Sequence, residues 1–350
     1  MENITIIISK IKHMNNQTEF KFPDIVDPSL LKQLQQFSEK DEIYISVDKN
    51  SHIKYPIINN IPRLLPKLDN YADAFGAQWT KWRKTQLDSH SGTTITKKRL
   101  YRCLGEDIVN QLNKAANKFN ILEVGCGAGR FTEVLLNLPA SYVTSIDLSN
   151  AVEANQENCP QNERHRILQA DVMKIPFLKE QFDIVFCLGV VQHTPNPEAT
   201  IKKLYEQLKP GGFLIIDHYR PEIRRLTKIT GGLIRPIIKR LPTYTRIKTC
   251  ERLVKLFLPI HKKIRNIPFA QQIFSRISPI ACYYHAYPEL PDNLQFEWSV
   301  LDTHDGLTDW YKHYRTKRQI INFLSLIGAN NIVANVGGNG IEARCTKPNK

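Results

Sequence analysis

From Phe119 to Gly212 the chain alternates between short apolar runs and amphipathic stretches. The runs are "NILEV", "YVTSID", "RILQAD", "FDIVFCLG" and "GGFLIID", with helical patterns at 129–137, 149–158 and 197–208 between them. Near-continuous apolar strands separated by helices predict a parallel sheet covered on both faces. Open α/β sheets of this kind bind ligands beyond the carboxyl ends of their strands. The alternation stops after Asp217 and returns at "TKRQIINFLSLIGANNIVANVGGNGIEARCTK", a helix and two strands joined through glycines. A region whose flanks belong to one sheet is expected to be an insertion over the active face, a lid or cap.

Ahead of this core, residues 1–68 form a β-rich pattern: "ITIIIS", then "EIYISVD" and "HIKYPII" around Asp48-Lys49-Asn50, ending at "NNIPRLLPK". The first cysteine is Cys103, which excludes a metal knuckle in this piece; a structural or partner-docking addition is expected. Residues 69–118 read as a helical lead-in. There Phe75, Trp79 and Trp82 recur at i, i+4 and i+7, an aromatic stripe suited either to core packing or to covering a ligand pocket. The expected divisions are then 1–68, 69–118, an α/β core at 119–219, a cap at 220–295 and a closing segment at 296–350.

Composition narrows the class. At 350 residues with 42% hydrophobic, the chain can bury a sizeable core. No run approaches the ~18 consecutive apolar residues of a spanning helix. The opening "MENITIIISKIKHMNN" is interrupted too soon for a signal peptide, so a soluble, cytoplasmic protein is expected. Seven scattered cysteines with no C-x-x-C pair suit neither a disulfide frame nor zinc, and no metal is expected from them. The net charge of +14 is local: between Arg220 and Arg265 stand fourteen Lys or Arg against Glu222 and Glu251.

The stretch "ILEVGCGAGRFTEVLL" joins a strand to a helix through a glycine turn. Such a turn serves dinucleotides or S-adenosylmethionine. The dinucleotide pattern needs a third glycine where Arg130 stands, and Glu123 at the strand end would repel pyrophosphate while suiting an ammonium. S-adenosylmethionine carries an ammonium, and its carboxylate suits free N–H groups at a helix start. Asp147 ends the next strand 22 residues after Gly125, a spacing that lets its carboxylate accept both ribose hydroxyls. Asp171, in "LQADVMKIPF", is placed to accept from an adenine amino group, with Val172 and Met173 bordering the ring.

These residues strongly resemble the class I S-adenosylmethionine-dependent methyltransferases. The matching motifs, over Tyr101 to Asp217 and in family order, are "ILEVGCGAGRFT", "SIDLS", "QADVMKIPF", "FDIVFCLGVVQHTPNPE" and "LKPGGFLII". The resemblance implies a Rossmann-like sheet of order 3-2-1-4-5-7-6 with strand 7 antiparallel, "VGGNGIEARC" being the hairpin of the last two strands. It implies S-adenosyl-L-methionine held by Glu123, Gly125, Gly127, Gly129, Asp147, Leu148, Asp171, Val172, Leu188 and, from the lead-in, Trp79. The flanks "AFGAQWTKWRKTQLDSHSG" and "LDTHDGLTDWYKHYRT" look like a narrower bacterial subgroup whose members often appear among sugar, surface-polysaccharide or secondary-metabolite genes.

Methyl transfer to a hydroxyl needs an aligned acceptor and a base. His193, after the fourth strand, is one candidate, against a loop histidine bonded to backbone. Asp217, His218 and Tyr219, after the fifth strand, either shape the acceptor site or simply lead into the insertion. "SVLDTHDGLTDWYKHYRT" is the densest polar cluster, and His304 with Asp305 is the second candidate; the alternatives there are a metal site and a capped, solvated helix.

In the basic insertion Ile223, Leu226, Ile229, Leu233, Ile237 and Leu241 fall near helical spacing, though Gly231-Gly232 and Pro236 are expected to interrupt one long helix. Anionic lipid contact through 220–265, a phosphate-bearing acceptor, RNA and a plain solvated lid all fit. The expected function is S-adenosylmethionine-dependent O- or N-methylation of a small-molecule, sugar or glycan-linked acceptor. The alternatives are RNA methylation, for which the flanks carry no sequence-specific module and the asparagine-proline-proline-aromatic signature is absent, and a non-catalytic cofactor-binding scaffold or membrane-docked partner.

Overall fold

The computed structural model describes residues 35–39, 42–46, 54–65, 71–114, 118–174, 179–221 and 229–349. The expected strand "ITIIIS", the turn at Asp48-Lys49-Asn50, and Ile223 and Leu226 lie outside them. Eleven strands form one sheet: β1 (Gln35–Glu39), β2 (Glu42–Ser46), β3 (Lys54–Ile58), β4 (Ile61–Leu64), β5 (Phe119–Val124), β6 (Ser141–Asp147), β7 (His165–Ala170), β8 (Phe182–Cys187), β9 (Leu208–Tyr219), β10 (Asn330–Gly337) and β11 (Gly340–Thr346). Their order is β1-β2-β3-β4-β7-β6-β5-β8-β9-β11-β10.

The central strands β7, β6, β5, β8 and β9 are mutually parallel. β11 runs antiparallel to both β9 and β10. Counted from β5, the core therefore runs 3-2-1-4-5-7-6 with its seventh strand reversed. At the other edge β4 pairs in parallel with β7 through Arg63↔Gln169 and Leu64↔Ala170, so the N-terminal strands extend the core sheet. Arg63 fixes that register: its buried guanidinium donates to Gln169 Oε1 at 3.2 Å and pairs with Glu153.

Among the described residues twelve helices follow in chain order: α1 (Asp73–Lys81), α2 (Asp88–Ser91), α3 (Ile95–Leu104), α4 (Glu106–Leu112), α5 (Arg130–Leu136), α6 (Ala151–Asn158), α7 (Pro197–Glu206), α8 (Ile229–Ile238), α9 (Thr243–Ile264), α10 (Pro268–Ile277), α11 (Asp292–Thr308) and α12 (Lys317–Leu326). The two-residue alternation of strands divides the core between them. Ile121, Ile184 and Ile215 bury on one face with Leu100 and Leu104 of α3, Leu112 of α4 and Leu135 of α5. Leu122, Val185 and Leu214 bury on the other with Ile201 and Leu204 of α7 and Leu324 of α12. Each such side chain contributes about 1.5–3 kcal/mol. Local signals mark the helix starts: Pro197 and the Asn196 cap begin α7, and Thr316 with Gln319 forms a capping box on α12.

The insertion packs around a core of its own. Ile238, Cys250, Val254 and Leu258 meet Leu301 of α11 and Trp82 from the lead-in. Gly231-Gly232 and Pro236 do not break α8, which runs through all three before ending at Ile238. Pro236 has no N–H to donate to the Gly232 carbonyl, so the helix passes through it one hydrogen bond short. No described helix is long and apolar enough to cross a membrane.

Candidate functional site

The sheet order reverses between β5 and β8, where neighbouring loops diverge and leave a crevice. The glycine turn follows β5 there. Gly125 has φ 75° and Gly127 φ 50°. A Cβ on Gly125 would fall 2.0 Å from Val190 Cγ2, on the loop after β8. A Cβ on Gly127 would sit 3.3 Å from the Trp79 indole, which lies over the turn. The turn is tied to the end of β6: Gly127 N–H donates to Asp147 Oδ2 at 2.9 Å, and Ser149 N–H and Oγ donate to Oδ1 at 2.8 and 2.7 Å. Burial raises the Asp147 pKa, against these opposing hydrogen bonds.

A cavity of about 730 Å³ opens over this crevice. Gly125, Gly127, Asp147, Leu148, Asp171, Val172, Leu188 and Trp79 all line it. So does Phe75, whereas Trp82 of the same stripe is spent on the cap core. The cap supplies the roof through Gly232, Arg235, Pro279, Ala281 and Tyr283, and α11 adds Asp302 and Asp305.

Three expected site residues lie elsewhere. Glu123 is sealed beneath the turn, accepting from Thr132 Oγ1 at 2.6 Å and Ser145 Oγ at 2.9 Å, and burial pushes it up to about 7. Its carboxylate fastens α5 and β6 to β5 and does not line the cavity. Gly129 has left-handed φ 91° as the cap of α5, and its α-carbon faces Cys159 and Asn155. His304 is fully buried with Nδ1 2.6 Å from Gln78 Oε1, and burial lowers its pKa to about 4. One residue along α11, Asp305 does reach the cavity, because successive helix positions point in different directions.

His193 also lines the cavity, with a partner at each nitrogen. Nδ1 lies 3.1 Å from the Tyr311 carbonyl and 3.2 Å from Asp309 Oδ2. Nε2 faces Tyr219 Oη at 3.3 Å and Asp305 Oδ1 at 3.8 Å. Tyr219 Oη donates to Asp305 Oδ2 at 3.3 Å. An Nδ1–H directed at the carbonyl or carboxylate leaves the Nε2 lone pair to accept a proton. Burial works against the imidazolium, but Asp305 and Asp309 outweigh it and raise the His193 pKa.

Sequence reasoning missed two cations that line the cavity. Arg99 donates to buried Asp217 Oδ2 at 2.5 Å, while Asp217 Oδ1 accepts the Gly189 N–H at 2.6 Å. Arg130 donates to the neutral groups Thr96 Oγ1 and Gln86 Oε1 at 3.0 and 2.8 Å; burial and Arg99 lower its pKa to about 10. The signal for Arg130 lay in plain view, as the residue replacing a third glycine. Nearby Asp302 is pushed up to about 7 by burial and by Asp305. Asp217 thus braces the site from below, Tyr219 faces it, and His218 is buried with its pKa lowered to about 4 by burial. Arg235 and Lys312 reach the cavity too, both engaged with Asp309 at 2.8 and 3.2 Å. Among the described residues no group of three His, Cys, Asp or Glu is gathered as metal ligands.

The glycine turn, the strand-end carboxylates Asp147 and Asp171, Arg99 and Arg130 thus border one cavity. Residues 122–216 match a methyltransferase domain. Among curated relatives, the malonyl-[acyl-carrier protein] O-methyltransferase of Priestia megaterium is 28% identical over 141 residues, covering 39% of this chain and 50% of that one. The ubiquinone biosynthesis O-methyltransferase of Pseudomonas fluorescens is 33% identical over 109 residues, covering 30% and 45%. The chain thus spans about half the length of these curated relatives. A solved S-adenosylmethionine-dependent methyltransferase from Aquifex aeolicus aligns with TM-score 0.40 at 14% identity, over 77% of this chain and 97% of that one. The methyltransferase domain coincides with the strands β5 to β9 that carry the cavity floor, and S-adenosylmethionine is the cofactor it indicates.

Proposed function

We propose that the protein transfers a methyl group from S-adenosylmethionine to a hydroxyl or amine of a small polar acceptor, a sugar or glycan-linked molecule being the favoured class. The carrying observation is that His193, flanked by Asp305 and Asp309, opens onto the same cavity as Asp147 and the glycine turn. The bound cofactor supplies a methyl already activated as a sulfonium, so the chain has to orient two molecules and handle one proton.

Asp147 would accept the ribose hydroxyls, Asp171 and Val172 would border the adenine, and Arg99 and Arg130 would face the carboxylate. Trp79 over Gly127 and the cap roof exclude water, which strengthens those contacts. At the acceptor end, neutral His193 takes the hydroxyl proton on Nε2, and Asp305 and Asp309 stabilise the imidazolium that forms. Asp302 and Asp305 offer acceptors for further hydroxyl or amine groups. The favoured acceptor class also draws on the flanking motifs around α1 and α11 and on the polar lining of the cap end.

The test is calorimetric titration of the full chain with S-adenosylmethionine, S-adenosylhomocysteine and NAD, followed by labelled-methyl transfer onto sugar and glycan acceptors. Binding of the first two with turnover supports the proposal. Binding of NAD alone removes it, and cofactor binding without turnover on any hydroxyl or amine acceptor leaves a scaffold in its place.

A further inference from the structure

Among the described residues sixteen large hydrophobic side chains are exposed, and nine of them fall in the cap between Ile229 and Ile277. They follow the helices. On α10, Phe269, Ile273 and Ile277 repeat every four residues at 74%, 48% and 48% exposure, while Gln271 is buried on the opposite side. On α9, Tyr244, Lys248, Arg252, Leu256 and Ile260 form one outward row, opposite the buried Ile247, Cys250, Val254 and Leu258. On α8, Leu233 and Ile237 are 69% and 65% exposed. α10 packs against both α8 and α9, so the outer faces adjoin.

The same 229–277 segment carries eleven Lys or Arg and one acid, Glu251, which is paired with Lys81. We propose that this outer face of the cap docks on an anionic lipid surface. Leu, Ile and Phe side chains one turn apart, interleaved with Lys and Arg, are the composition that inserts at the headgroup boundary of a bilayer while the cations hold anionic lipid. A second copy of the chain is disfavoured because two faces of this charge repel. RNA would use the cations but leaves exposed aliphatic side chains without a partner, since single strands bind by stacking on aromatic rings. This face lies outside the cavity lining apart from Gly232 and Arg235, so its failure would leave the methyl-transfer reading standing.

The test is flotation of the full chain with vesicles of phosphatidylcholine alone or with about a third phosphatidylglycerol. The expected result is at least about tenfold more protein floating with the anionic vesicles, falling steeply with added salt. Phe269→Ser with Ile273→Ser, both exposed, should reduce flotation about fivefold or more while the thermal melt and cofactor titration stay as in the parent. Lys248→Glu with Arg252→Glu should act in the same direction. Equal flotation with neutral vesicles, parental flotation by both variants, binding to RNA but not vesicles, or a dimer in light scattering that the serine variant dissolves would each overturn the proposal.

Discussion

Asp309 Oδ2 lies 3.2 Å from His193 Nδ1, and Asp309 Oδ1 lies 2.8 Å from Arg235 Nη2. A single buried carboxylate therefore links a histidine of the core sheet to an arginine of the cap. Asp309 thus ties the orientation of the proposed base to the cap, alongside the Tyr311 carbonyl and Tyr219 Oη. His193→Ala should lower kcat by about 10²–10⁴-fold, with S-adenosylmethionine affinity unchanged in a titration. A parental kcat would remove His193 from the proton step.

The pH dependence carries a sign. The His193 pKa is raised in the folded protein and the base must be neutral, so kcat should rise with pH and level off above the ordinary histidine value of about 6.5. Asp309→Asn takes away one of the carboxylates holding the proton, and the inflection should move to lower pH. A kcat profile that falls with rising pH through this region contradicts the assignment. For stability the same group acts oppositely: its contribution is full below the unfolded pKa and is lost as pH rises through the folded one.

Asp147→Ala removes the acceptor for Gly127 N–H and Ser149 together. S-adenosylmethionine affinity should weaken by about 1–3 kcal/mol, through lost hydroxyl bonds and a loosened turn. Calorimetry on the purified variant checks this, and unchanged affinity would take Asp147 out of the cofactor site.

Gly125→Ala places a methyl group 2.0 Å from Val190 Cγ2 at a backbone with φ 75°. The loop after β8 must give way, and the loss of stability should be about 2–4 kcal/mol in a denaturant melt, from backbone strain and overpacking combined. Gly125→Ala with Val190→Ala should recover part of it, since the clash is with that side chain.

Three buried histidines should each weaken the fold on acidification in a defined window. His165, His218 and His304 are buried with pKa values lowered to about 4, burial being the leading cause in each. Between about pH 6.5 and 4 each of these imidazoles is more protonated unfolded than folded and withdraws up to about 1.4 kcal/mol of stability per pH unit as pH falls, while Glu123 and Asp302, held up to about 7, contribute with the opposite sign. His304→Gln should remove its share of that loss relative to the parent and leave kcat close to parental. Loss of turnover without loss of stability would restore His304 to catalysis.

The sheet was legible because its strands are buried on both faces, which leaves apolar runs too regular for loops. The cavity floor was legible for a related reason: strand ends and the glycine turn are fixed by local chain geometry, which puts Asp147, Asp171 and Gly127 on its lining. What counting could not supply was side-chain direction. Glu123 and Asp147 both end strands, yet one turns under the sheet to Thr132 and Ser145 and the other faces the cavity. His304 and Asp305 are neighbours on α11, and a difference of about 100° around the axis decides which meets the ligand space. Arg99 and Asp217 meet across 118 positions, a pairing that no local pattern announces.

β4 reaches its place beside β7 through a contact spanning 106 positions, Arg63 to Gln169. The strands of residues 35–64 are synthesised well before the strand they pair with. Until β5, β6 and β7 have assembled, "IPRLL" has only its hairpin partner β3, and contacts between distant positions form late because the intervening chain must first be closed into a loop. The same docking later covers the outer edge of β7, which would otherwise stand open to pairing with another chain. The N-terminal strands are thus a hazard during synthesis and a safeguard afterwards, and slow refolding with concentration-dependent aggregation is the behaviour that this order of assembly brings.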